Sequence, residues 1–145
     1  VNPLFSSRHL LMAILAFFLG AFATAQSPAP GGPQHPEPGL EGGWDALQPD
    51  GSEVAPGVEA DIYIVENQDG SYTAHVFIAR VGFPPVWAPN EVITIYPVSP
   101  GRYVWESAQG GSGIVQWNPY LGHYDNLVTG GRHAGTRRIF VSHDG

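Results

Sequence analysis

The chain has 145 residues, six arginines, no lysine, no cysteine and thirteen acidic residues, for a formal net charge of −7. Without cysteine there are no disulfide staples, thiolate metal sites or acylated N-terminal cysteine, and the acidic balance argues against nucleic acid or anionic lipid as a partner. The roughly 100 residues that carry folding text suit one domain that stands on its apolar core alone, and are too few for two.

Residues 1–25 read as a Sec-type export signal. Arg8 supplies a basic start, Leu10 to Phe22 an apolar run, and Ala23-Thr24-Ala25 a small-x-small cleavage site before Gln26. The apolar run falls short of the roughly 20 residues of a spanning helix, so the expected product is periplasmic or extracellular, with no membrane span after cleavage. Losing Arg8 leaves five arginines against thirteen acids, a mature net charge of −8. That charge favours solubility, and with it cationic partners or neutral ligands.

Residues 26–43, QSPAPGGPQHPEPGLEGG, are dominated by proline and glycine. Proline removes backbone donors and glycine raises unfolded-state entropy, so the tract is expected to be a disordered or polyproline-like spacer, with His35 a solvated residue inside it.

From residue 44 to residue 145 the text changes to short β-branched and aromatic runs divided by glycine-rich breaks. Predicted strands are Glu59–Glu66, Ser71–Val81, Glu91–Val98, Arg102–Ser107, Gly113–Asn118, His123–Thr129 and Thr136–Ser142. Asn67-Gln68-Asp69-Gly70 is a hairpin signal, because Asp-Gly separates two alternating runs. In the C-terminal half the breaks recur every nine or ten residues, which leaves no room for crossover helices. The expected fold is all-β: an antiparallel up-and-down barrel of seven or eight strands, or alternatively a β-sandwich. Most of the predicted strands are shorter than the roughly 9–11 residues of an outer-membrane strand.

Period-two counting puts Tyr103 with Trp105, Val115 with Trp117, and Tyr124 with Asn126 and Val128 on common faces of three successive strands. If the faces coincide, Tyr103, Trp105, Trp117 and Tyr124 form either a pocket wall for an apolar or aromatic ligand or the packed core of a small barrel. Between two strands lies Gly82-Phe83-Pro84-Pro85-Val86-Trp87-Ala88-Pro89-Asn90, whose three prolines make it a loop. Its Phe83 and Trp87 are expected either to cap the barrel mouth as a lid or to fold inward as a plug.

Histidine and carboxylate are the remaining metal ligands in a chain without cysteine. His123 and Asp125 share a strand face, His133 follows in the next turn and His143-Asp144 lie at the C-terminal end, a set in which two or three members can converge on zinc or copper. Solvent-facing histidines give the same spacing, so neither a metal nor any cofactor is assigned. His123 with Asp125 is also an acid-base pair, and Arg132, Arg137 and Arg138 can hold an anion, yet no nucleophile elbow or phosphate-cradling loop accompanies them.

Gly42-Gly43-Trp44 matches the Gly-x-Trp that opens the barrel of the lipocalin family, and Arg137 or Arg138 falls late in the chain, where that family sets an arginine over the tryptophan. In those residues the chain resembles a lipocalin. The resemblance implies an eight-stranded barrel that binds small hydrophobic molecules, although Asp45 to Gly51 reads as a turn instead of a long first strand.

Three functions follow in order. The first is a non-enzymatic binding module that holds an apolar or aromatic ligand against Tyr103, Trp105, Trp117 and Tyr124 under the Phe83–Trp87 loop. The second is a protein-interaction module of the cell envelope. The third is a small hydrolase or isomerase using His123 and Asp125.

Overall fold

Alternation of side chains along each strand decides which face of a sheet is buried. In Val58-Glu59-Ala60-Asp61-Ile62-Tyr63-Ile64 the even-numbered positions are buried and Glu59 and Tyr63 face out. The computed structural model, which describes residues 34–143, carries that alternation through eight antiparallel strands: β1 (Gly42–Leu47), β2 (Val58–Glu66), β3 (Tyr72–Arg80), β4 (Glu91–Ser99), β5 (Arg102–Ser107), β6 (Ser112–Asn118), β7 (His123–Gly130) and β8 (Arg137–Ser142). Each strand pairs with the next and β1 pairs with β8, so the sheet closes into an up-and-down barrel and the sandwich alternative is set aside. Limits of the predicted strands hold to within one residue. The export signal expected over 1–25 lies outside the described residues, as does 26–33 of the spacer. Among the described residues no helix is long and apolar enough to cross a membrane.

Two sequence expectations change here. Asp45 to Gly51 is not one turn, because Gly42 to Leu47 form β1, which bonds to β2 on one side and to β8 on the other. The turn is confined to Gln48–Ser52, where Gln48 N–H donates to the Ser52 carbonyl at 2.9 Å. A six-residue strand with three small residues carries little β-propensity of its own; its pairing is set by the two edges that it joins.

The spacer also stops short of Gly43. Leu40 is fully buried and its carbonyl accepts Trp44 Nε1 at 2.7 Å. The His35 carbonyl accepts Trp117 Nε1 at 2.8 Å, and His35 N–H donates to the Pro119 carbonyl at 2.5 Å. Prolines deny this segment a continuous ladder, so it is held instead by indole donors from the barrel.

The segment covers one end of the barrel, together with the β2–β3, β4–β5 and β6–β7 turns. At the β2–β3 turn Asn67 N–H donates to the Ser71 carbonyl at 2.7 Å, with Gly70 at a φ of 85° that only glycine adopts freely. Below these turns Trp44, Tyr103, Trp117 and Tyr124 fill the interior. Rings of Trp44 and Trp117 meet Tyr124 edge to face at centroid distances of 5.2 and 4.9 Å, and Tyr103 meets it at 6.2 Å. Each such side chain contributes on the order of 1.5–3 kcal/mol by leaving water. Outside the wall, Val104 and Ile114 form a second apolar cluster with Tyr96, Val98 and Leu127.

Candidate functional site

The other half of the interior is not filled. A cavity of about 330 Å³ opens at the end that carries the β1–β2, β3–β4 and β7–β8 loops. It exists because the inward positions at this level include Ala46, Ala60 and Ala74, where the closed end places rings. Gly113 also faces inward and has no side chain to offer. A Cβ there would lie 2.4 Å from the Trp105 indole, so glycine lets Trp105 lie flat on the backbone of β6, its cross-strand partner.

Trp105 forms part of the cavity wall, and its Nε1 donates to Asn126 Oδ1 at 2.7 Å. Asn126 is buried, and the bond satisfies the indole donor in a place where water has little access. The remaining polar lining comes from Glu91, His133, Thr136 and Arg138. Ser107 Oγ donates to Glu91 Oε2 at 2.7 Å, and Arg138 Nη1 donates to the Arg137 carbonyl at 2.7 Å.

The three aromatic faces coincide inside the barrel as period-two counting expects, but the rings have different neighbours. Of the predicted ligand-binding set only Trp105 lines the cavity. Tyr103, Trp117 and Tyr124 belong to the filled end, where the Glu37 carboxylate accepts from Tyr103 and Tyr124 hydroxyls at 2.6 and 2.5 Å. Burial, and then the Glu37 carboxylate, pushes both phenols well above the ordinary tyrosine range. Phe83 and Trp87 are neither lid nor plug: they are 69% and 89% exposed on the β3–β4 loop and do not line the cavity. Its three prolines keep the loop out of the ladder, and its residues are exposed.

The polar candidates are likewise separated. His123 and Asp125 share a face, with Nδ1 and Oδ1 3.4 Å apart, an electrostatic contact longer than a good hydrogen bond. Asp125 is buried, and burial pushes its carboxyl up against the opposing pull of Asn118, His123 and Arg137. His133 stands at the cavity instead, and His143 points to β1 and β2, its Nε2 lying 2.8 Å from Asp45 and 3.5 Å from Asp61. The predicted histidine set therefore does not converge, because His133 and His143 are carried to different faces of the barrel. Asp45, Asp61 and His143 do bring ligating atoms within 4.8 Å of one another on the outer wall, although neither aspartate stands out in the sequence. Of the three arginines, Arg138 reaches the cavity, Arg137 acts on Asp125, and Arg132 is exposed on the β7–β8 loop.

The arginine that the lipocalin resemblance implies is not over the tryptophan. Trp44 pairs with Ser142, whereas Arg138 pairs with Asn126, four residues away along β8 and roughly 13 Å at strand rise. Trp44 gives its indole N–H to Leu40 instead.

Much of the cavity lining escaped the sequence reading, which follows large side chains. The missed signal lies in the small ones: Ala46, Ala60 and Ala74 fall at inward positions of alternating strands, where a packed barrel would need bulk. Comparison with known proteins finds no matching family model, no similar curated protein and no similar solved structure.

Proposed function

We propose that this chain is an exported, non-enzymatic binding module that takes an apolar or aromatic small molecule into the open half of its barrel, an architecture akin to that of lipocalins. The cavity carries this reading. At about 330 Å³ it falls at the lower end of the volumes that hold small molecules, and its walls are largely aliphatic with a few polar groups. A protein of this size has every reason to fill its core, so retaining alanines around a void suggests that something else occupies the space. Uptake of Nile red, followed by displacement with fatty acids, flavonoids and sugars, tests it. Saturable uptake reversed by one compound class supports the reading, and no uptake removes it.

A second reading, a protein-interaction module of the cell envelope, draws on the exposed Phe83 and Trp87 of the β3–β4 loop. Pull-down from an envelope extract with the wild type and with Phe83→Ala plus Trp87→Ala decides it: loss of a specific partner supports docking through the loop, and equal recovery removes it.

A further inference from the structure

The walls of the cavity differ in chemistry. One side, from β2 and β3, is aliphatic throughout: Ala60, Ile62, Ile64, Ala74, Val76 and Ile78. The β7–β8 side carries Asn126 and Arg138, with His133 and Thr136 from the loop between those strands. Asn126 and Arg138 are direct cross-strand partners, so their side chains leave the wall within about 5 Å of each other.

What this pair offers is one-sided. Asn126 has spent its oxygen on Trp105 Nε1, which leaves its amide N–H groups as the free end. Arg138 carries a permanent charge and five donors, of which one reaches the Arg137 carbonyl. Among the described residues no carboxylate is ion-paired with Arg138. Glu91, the acid that lines the same cavity, accepts from Ser107. Asn126 is buried, so its amide donor is costly to leave without an acceptor, and the half-buried Arg138 beside it keeps its remaining donors available at the cavity mouth. The acceptor that matches a guanidinium fork is a carboxylate, which takes two parallel bonds.

Resting on the reading of this cavity as a ligand site, we propose that it selects apolar molecules ending in a carboxylate. Arg138 and Asn126 Nδ2 receive the two oxygens, and the hydrocarbon lies against β2 and β3. Selection comes from this local pair and works against the negative charge of the protein as a whole, so it tightens at close range without hastening encounter.

Nile red, a neutral probe, allows the head group to be varied independently of cavity occupancy. Decanoate, 1-decanol and decylamine are compared as displacers at neutral pH on the purified protein, on Arg138→Gln and on Asn126→Asp, with the fold of each variant checked by circular dichroism. Decanoate is expected to displace the probe at about tenfold lower concentration than decanol, with decylamine weakest. Arg138→Gln brings the decanoate-to-decanol ratio towards one. Asn126→Asp keeps an acceptor for Trp105 Nε1 but adds negative charge, and it shifts the preference towards decylamine. Equal displacement of the wild type by decanoate and decanol, or a decanoate preference that survives both variants, overturns carboxylate selection and leaves the ligand-site reading standing. Failure of the wild type to take up Nile red at all removes both.

Discussion

At the closed end, Trp44, Tyr103, Trp117 and Tyr124 meet edge to face and the N-terminal segment lays Glu37 across two of their hydroxyls. At the open end Ala46, Ala60, Ala74 and Gly113 take inward positions on β1, β2, β3 and β6, and a cavity of about 330 Å³ remains. The backbone is one continuous ladder through both halves, so side-chain volume, together with the N-terminal segment over the closed end, separates a packed interior from an empty one. Rings at the closed end act as a rigid base, which lets the open end tolerate lost contacts without collapsing.

Breaking the base should have the largest effect. Tyr124 is fully buried at the centre of the ring cluster, and Tyr124→Ala is expected to destabilise the protein by about 3–5 kcal/mol in urea denaturation. Next is Gly113→Ala, where the new Cβ collides with Trp105 at the boundary of the two halves. A cost of about 1–3 kcal/mol and a shifted tryptophan emission are expected, the latter because the indole is pushed off Asn126. An unchanged spectrum would contradict that packing.

Glu37→Gln sharpens the comparison at the closed end, with an expected loss of about 1 kcal/mol for a half-buried acceptor of two phenols. It also carries a pH signature. Tyr103 and Tyr124 hold their protons in the fold above the ordinary value of 10.0, so their contribution is complete below pH 10 and declines as pH rises beyond it. Without the carboxylate the phenols move back towards the ordinary value, and the alkaline loss in melting temperature becomes shallower.

Asp125 works in an acidic window with the same sign. Its carboxyl is pushed above the ordinary 3.8 by burial, so stability falls as pH rises from 3.8 through the raised folded value. Asp125→Asn should flatten the melting temperature over that interval, and an unaltered slope would show that Asn118, His123 and Arg137 outweigh burial. The smallest effect on stability belongs to Ala74→Leu, which adds bulk where there is room. A change within about 1 kcal/mol is expected, with Nile red uptake weakened at least tenfold, whereas the closed-end variants act mainly on stability.

The barrel was legible because its determinants are local. Asp69-Gly70, Pro100-Gly101 and the later glycine pairs punctuate alternating runs, and the antiparallel meander follows from their spacing. Even Pro97, inside β4, is accommodated where the register shifts between Pro97 and Ser99. β1 was hidden because its pairing depends on β2 and β8, which are remote in sequence. The site was only partly legible for a related reason. Period-two counting finds the inward face of Tyr103, Trp105, Trp117 and Tyr124, but depth along the axis depends on strand stagger, which puts Trp105 beside the void and the others at the closed end, against Glu37 and His35.

His35 and Glu37 fasten the N-terminal segment to the β6–β7 turn and to phenols at the closed end. The described chain therefore begins, at Gln34, on the side of the barrel away from its opening. A tether attached there would hold the domain like a cup by its foot, with the rim turned outward. A fusion partner added upstream of Gln34 would lie away from the opening, where one grafted beside Thr136 would crowd the mouth.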